Sequence, residues 1–208
     1  MIHGRNYTVD FPDENGIRVA FIDILLDDCY QLGRIKTPVK TIIDIGANVG
    51  LFDLAARRRF PEAIIHAYEP NPNLEIYLKQ QVSAGKFEYF MEAVGLESGK
   101  GALDYHEDSV QTRWIHDQNG NIAQTAFRET INRLGGSVDL IKMDCEGAEW
   151  EIFQDEKSWS RVQHLSMEYH LKFGRTAKEA LNKVRELGFH IIRHSPASGF
   201  GIIIASRE

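Results

Sequence analysis

The sequence predicts an α/β protein: a mostly parallel sheet with helices on both faces and an antiparallel final strand. Three observations carry this. Short Ile- and Val-rich runs of strand length alternate with longer stretches of helical patterning. Strands joined through helices run parallel, because each crossover returns the chain to the same end of the sheet. The last two apolar runs are joined only by a loop around SPASGFG, which is too short for a crossover, so they form an antiparallel hairpin.

Thr41 to Ile45 (TIIDI) reads as the first buried strand, stopped by the glycines of GANVG. Leu51 to Phe60 follows with helical patterning and ends before Pro61. Ala63 to Tyr68 is the second strand. It closes on EPNPN, where Asn71 or Asn73 can cap a helix that runs to about Ala84. Phe87 to Val94 is a third strand, Gly101 to Tyr105 a short extra one, and Ile122 to Leu134 reads as a helix. Val138 to Met143 (VDLIKM) is the fourth core strand, with a helix opening near Gly147. Val162 to Tyr169, Ala177 to Leu187, Phe189 to Arg193 and Gly201 to Ala205 read as strand, helix, strand, strand. A single domain over residues 1–208 accommodates all of this, with 1–38 as an extension packed on a 39–208 core.

Composition narrows the function classes. The 208 residues carry 30 Asp and Glu against 24 Lys and Arg, a net charge of −6, which gives no general drive toward nucleic acid. The basic run Arg57-Arg58-Arg59 reads as a solvated helix end that complements the helix dipole. Only Cys29 and Cys145 are present, which argues against a disulfide framework and fits a cytoplasmic protein. No apolar run approaches the roughly 20 residues of a membrane helix.

The first motif is Asp44-Ile45-Gly46-Ala47-Asn48-Val49-Gly50, between a strand and a helix. Glycines there let the backbone turn sharply and let a ligand approach without meeting a Cβ. Glu69 follows the second strand, where an acid can accept ribose hydroxyls. A dinucleotide fingerprint needs a second glycine so that backbone can reach a pyrophosphate, and Asn48 occupies that position. S-adenosylmethionine, which has ribose and adenine but no phosphate, therefore fits better than a nicotinamide cofactor. At the end of the third strand, Glu92 and Ala93 lie where an acid can accept the adenine amino group.

The second motif, Asp139-Leu-Ile-Lys142-Met-Asp144-Cys-Glu146-Gly-Ala-Glu149, is the more informative. Strand alternation puts Lys142 and Asp144 on one face, and charges inside a covered strand are costly unless paired. The next strand ends Glu168-Tyr169-His170, with Glu168 and His170 again sharing a side. If the strands are neighbours, Asp144, Glu146, Glu168 and His170 converge at the ligand-binding edge. Such a cluster suits a His general base steered by carboxylates, with Asp144 and Glu168 as helpers. Its carboxylates could equally hold a divalent cation, but Lys142 would compete with a cation for them, so the metal-free arrangement is preferred.

IIDIGANVG, HAYEPNP, DLIKMDCEGAEWEIF and a strand ending MEYH, in this order and spacing, resemble the FkbM family of S-adenosylmethionine-dependent methyltransferases. The resemblance implies a class I, Rossmann-like, seven-stranded methyltransferase fold with S-adenosylmethionine as donor and a hydroxyl as the usual acceptor. By position, Asp44, Gly46, Ala47, Asn48 and Gly50 would lie on the methionine and ribose side of the pocket, and Glu69 on the ribose. Asp144, Glu146 and His170 would face the transferred methyl. The acceptor implied is a small-molecule natural product or a sugar, not a nucleic acid or a membrane. The rival readings are a nicotinamide-dependent oxidoreductase, which Asn48 disfavours, and a non-catalytic nucleoside-binding protein of the same fold.

Overall fold

The computed structural model describes residues 6–172 and 174–207. Its main sheet has seven strands. β1 (Thr41–Ile45), β2 (Ile64–Tyr68) and β3 (Glu88–Phe90) are followed, after an excursion, by β8 (Val138–Met143), β9 (Val162–His170), β10 (His190–Pro196) and β11 (Phe200–Ser206). The order across the sheet is β10-β11-β9-β8-β1-β2-β3. The five strands β3, β2, β1, β8 and β9 are mutually parallel, and β11 runs antiparallel between β9 and β10. From β1 the chain first builds outward through β2 and β3, then resumes on the other side with β8. The loops after β1 and β8 therefore flank the point where strand order reverses, where open α/β sheets bind ligands.

Alternation sorts the buried side chains into two layers. Ile43, Ile45, Ile141, Met143, Leu165 and Met167 face a cluster built on Phe127, Phe153 and the fully buried Trp159. Ile42, Ile65 and Leu140 face Phe52, Ala55 and Ala56 of helix α2 (Leu51–Arg59) on the opposite side. Both faces are covered, as continuous apolar strands require. Helix α1 (Asn15–Phe21) runs into a π-type turn at Ile22–Leu26 and buries Ile17 against Leu51 and Leu74. The remaining helices are α3 (Glu75–Gly85), α4 (Phe127–Arg133), the short α5 (Glu149–Ile152) and α6 (Glu156–Trp159), and α7 (Ala177–Glu186). A Thr176–Glu179 capping box starts α7, and Asn71 caps the short turn that leads into α3.

Three expectations change. The run 87–94 is not one strand: it breaks at Met91-Glu92. β3 stays in the main sheet, while β4 (Ala93–Gly95) joins a second sheet with β5 (Gly99–Asp104), β6 (Arg113–His116) and β7 (Ile122–Ala126), ordered β4-β7-β5-β6. Residues 122–126 are strand, and only Phe127 onward is helix. IAQTA has no strong period of its own, and pairing with β4 and β5 decides its conformation. The arginine run is a solvated helix end only in part: Arg58 and Arg59 are exposed in the last turn of α2, but Arg57 is not. Arg57 is buried and donates to the carbonyls of Pro61, Gly85 (2.6 Å) and Lys86 (2.9 Å), while Arg59 donates to that of Ile35 at 2.8 Å. These side chains tie loops together. Among the described residues no helix is long and apolar enough to cross a membrane.

Candidate active site

The glycine loop closes upon itself. Gly46 and Ala47 amides both donate to the Tyr68 carbonyl at 3.0 Å, and the Gly50 amide donates to that of Ala47 at 2.8 Å. The Asn48 amide donates to Glu69 Oε2 at 2.8 Å, and the Val49 amide to the Asn48 side-chain oxygen at 2.9 Å. Asn48 sits at φ 51°, a left-handed conformation that asparagine tolerates well. All five amides of the loop are thus spent inside the protein. A phosphate cradle needs such amides free, so this loop does not offer one. Gly46 is at φ 77°, and a Cβ there would fall 1.7 Å from the Asp144 carbonyl oxygen, so only glycine lets the loops after β1 and β8 touch.

Beside the loop lies a cavity lined by Gly46, Ala47, Asn48, Glu69, Glu92, Ala93, Asp144 and Glu146, roofed by residues 109–114 and by Ala20 and Ile24 of the N-terminal segment. Glu69 is buried and takes one backbone amide on each oxygen, Asn48 on Oε2 and Asn71 on Oε1, both at 2.8 Å. Each oxygen keeps a further lone pair. Burial pushes its pKa up to about 7 against the pull of those two amides. Glu92 lies in the link between the two sheets, where Arg133 holds it at 2.8 Å.

Two of the expected loop residues do not line the cavity. Asp44 is completely buried below it, paired with Lys142 at 3.0 Å across the β1–β8 register. Lys142 also donates to the Gly46 carbonyl at 2.6 Å, so this pair braces the loop from underneath. Gly50 packs toward Leu78 and Phe87 at the start of α2.

The acidic cluster does converge, because β8 and β9 are neighbours. His170 Nδ1 lies 3.0 Å from Glu149 Oε1, and Nε2 lies 3.2 Å from Glu146 Oε1 and 3.5 Å from Glu168 Oε1. Both ring nitrogens face carboxylates, an arrangement satisfied only by the doubly protonated ring. Burial alone would lower the His170 pKa; hydrogen bonds to Glu146, Glu149 and Glu168 override it and raise it to about 12. A ring protonated on both nitrogens has no lone pair with which to take a proton, so this geometry weighs against His170 as the expected base. Glu146, at φ 56°, is held by His170 and by Lys172 at 3.0 Å. Burial would raise its pKa, yet these two cations draw it below the usual carboxylate range. Asp144 accepts the Tyr30 hydroxyl at 3.1 Å, and its pKa is pushed up to about 7 by burial, with Lys142 pulling down and Glu168 pushing up.

Tyr30, Glu149 and Lys172 are site residues that the motif reading left without a role. Lys172 continues the 168–170–172 alternation, a signal present in the sequence. Tyr30 arrives from a segment with no periodicity to place it. Asp144, Glu146 and His170 each offer a ligand atom within 4.8 Å of the others, near enough to share an ion. Lys142, Lys172 and the imidazolium already supply the positive charge an ion would bring.

Comparison with solved structures places the fold among class I methyltransferases. A precorrin-6y C5,15-methyltransferase from Geobacter metallireducens aligns over 99% of this chain and 95% of its own, with a TM-score of 0.53 and 12% identity. The magnesium protoporphyrin IX methyltransferase of Synechocystis, solved with its S-adenosylmethionine, aligns over 93% of this chain and 78% of its own at a TM-score of 0.51 and 13% identity. The methyltransferase FkbM domain model matches residues 44–191, and the chain belongs to that family. Its relatives include methyltransferase sdnD of Sordaria araneosa, 28% identical over 92% of this chain and 91% of that protein. The 31-O-demethyl-FK506 methyltransferase FkbM of Streptomyces tacrolimicus is 21% identical over 89% of this chain and 86% of its own.

Proposed function

We propose that the protein transfers a methyl group from S-adenosylmethionine to a hydroxyl of a small natural product or a sugar. The observation that carries this reading is a cavity at the sheet's switch point whose glycine loop has no amide left for phosphate, with Asp144 among its lining residues. When bound, S-adenosylmethionine supplies a methyl group activated on a sulfonium. Glu69 would receive the ribose hydroxyls on its remaining lone pairs, and Glu92 with Ala93 would lie against the adenine. The name of the Streptomyces relative, which places a methyl on an oxygen of a natural product, supports the hydroxyl acceptor.

Asp144 takes the acceptor proton. A general base works best with a pKa near the working pH, and of the carboxylates at the junction Asp144 is poised at about 7 while Glu146 is drawn down by its cations. His170 is a positioning residue that locks Glu146, Glu149 and Glu168 in place. The fixed cations make the reading metal-independent. Asp144→Asn should lower kcat by about 10²–10⁴-fold and remove the acidic limb near pH 7 from the rate profile. Full activity in that variant would eliminate Asp144 as base. Loss of activity in EDTA, restored by magnesium or manganese, would overturn the metal-free mechanism. Saturable binding of NAD in competition with S-adenosylmethionine would favour the oxidoreductase reading instead.

A further inference from the structure

Beyond His170 the surface opens into a second cleft. Side chains from the 104–113 segment and from the turn at 198–200 line it, together with Glu168 and His170. Val110 and Glu146 line both this cleft and the cavity beside the glycine loop, so the two spaces meet at the acidic cluster. The cleft holds about 530 Å³, within the range of small-molecule sites, roughly 300–1,000 Å³.

We propose that this cleft is the acceptor site, and that it takes a neutral, ring-shaped polyol such as a glycoside and rejects anionic or nucleotide-linked sugars. The proposal rests on the methyltransferase reading above and deepens it. Three features point the same way. Tyr105 and Phe200 both line the cleft with 55% and 38% of their surface exposed, leaving large aromatic side chains open to a ligand. Aromatic faces match the C–H faces of a saturated ring, burying apolar area while leaving its hydroxyls free to find polar partners.

The second feature is the state of the cations. Arg113 places Nε and Nη2 on Asp104 Oδ2 at 2.9 and 2.7 Å. Lys172 is on the Glu146 carbonyl at 2.6 Å and its carboxylate at 3.0 Å. His170 is taken by Glu149 and Glu146. Arg113, Lys172 and His170 are therefore each already paired with a carboxylate. A phosphate would have to displace a carboxylate, leaving that carboxylate unpaired in a half-buried site.

The third feature is Glu168. Its contact with His170 Nε2, at 3.5 Å, is the longest of the three that the ring makes with carboxylates, and its side chain is 21% exposed. Glu168 lines the cleft and Asp144 the adjoining cavity, so a polyol spanning the junction can place a hydroxyl on each, whereas a simple alcohol reaches one.

The test uses the intact protein loaded with S-adenosylhomocysteine and saturation-transfer NMR. The probes are methyl α-D-glucopyranoside, methyl α-L-rhamnopyranoside, catechol and UDP-glucose. The expected result is saturation of at least one glycoside in preference to catechol, and none of UDP-glucose. Tyr105→Ala or Phe200→Ala should weaken glycoside binding by about three- to tenfold, the scale of one aromatic contact, while Tyr105→Phe retains it. Absence of any glycoside signal, preference for UDP-glucose or catechol, or an undiminished signal in both alanine variants overturns the assignment. Calorimetry with S-adenosylmethionine on the same samples separates the two claims. If the donor fails to bind wild type, the methyltransferase reading falls; if it binds and no glycoside does, only the acceptor assignment falls.

Discussion

Two acidic clusters lie on either side of Asp144, and they differ in access to water. Below it, Asp44, Asp53 and Lys142 are sealed between β1, β8 and α2, with Asp44 and Asp53 fully buried. Above it, Glu146, Glu168, His170 and Lys172 border an open cleft. In the dry cluster each charge is bound into the scaffold, and the lysine braces a loop carbonyl. In the wet one the carboxylates keep lone pairs for a ligand. Asp144 feels both, pulled down by Lys142 and pushed up by Glu168, and its intermediate pKa follows from standing between them. The same residue types thus brace the scaffold or border an open cleft according to which side of the sheet edge they occupy.

The sharpest way to break this contrast is to remove the dry cation. In Lys142→Met, Asp44 keeps its burial and loses its partner, and the Gly46 carbonyl loses its donor. Breaking a buried ion pair from one side typically costs about 3–5 kcal/mol. Urea unfolding should register a loss on that scale. A loss below about 1 kcal/mol, the worth of an exposed pair, would show that the lower cluster is not the scaffold described here.

Much of this contrast was legible in the sequence, and the exceptions have physical causes. Period-two alternation placed Lys142 with Asp144 and Glu168 with His170, and the parallel neighbourhood of β8 and β9 brought those pairs together as expected. Alternation says nothing about depth, so Asp44 looked like a cavity residue although it lies beneath the loop. Protonation state was invisible for a similar reason. A histidine within a carboxylate cluster reads as a base, and only the distances to Glu149 and Glu146 show that both ring nitrogens face acids. The second sheet escaped because its strands are short, with β4 of three residues and β6 of four, and their pairing is non-local. Tyr30 had no signal at all: its place is set by tertiary packing on Phe52.

A second, smaller effect sharpens the comparison from the cavity side. Glu69 belongs to neither cluster: it is buried, though less completely than the dry one, and it lines the cavity beside the glycine loop. If it serves the ligand, Glu69→Ala should weaken S-adenosylmethionine binding by about 1.5–3 kcal/mol, the scale of hydrogen bonds to a charged group. If it only ties the Asn48 and Asn71 amides, calorimetric affinity will hold while the melting temperature falls.

The smallest effect belongs to Asp53, and its sign distinguishes the two environments most directly. Two carboxyls, Asp44 and Asp53, share one lysine, and neither Asp53 oxygen receives a donor from another residue. Burial, reinforced by the Asp44 charge, holds the Asp53 pKa well above the ordinary aspartate value, so the folded protein keeps this group neutral. An acid whose pKa is raised on folding contributes most below its unfolded pKa, about 3.9. That contribution is lost progressively as pH climbs toward the folded value, because the native state must take up a proton that the unfolded chain has released. Asparagine is nearly the same shape as the neutral acid and needs no proton. Asp53→Asn should therefore change stability by less than about 1 kcal/mol near pH 5, the range of a well-tolerated substitution. It should gain on wild type steadily as pH rises toward 8.5. Urea midpoints for both proteins at pH 5, 7 and 8.5 measure the slope directly. A wild-type advantage that grows with pH would mean Asp53 is ionised in the fold, and the lower cluster would then carry an uncompensated charge that this account of a sealed, neutral scaffold forbids.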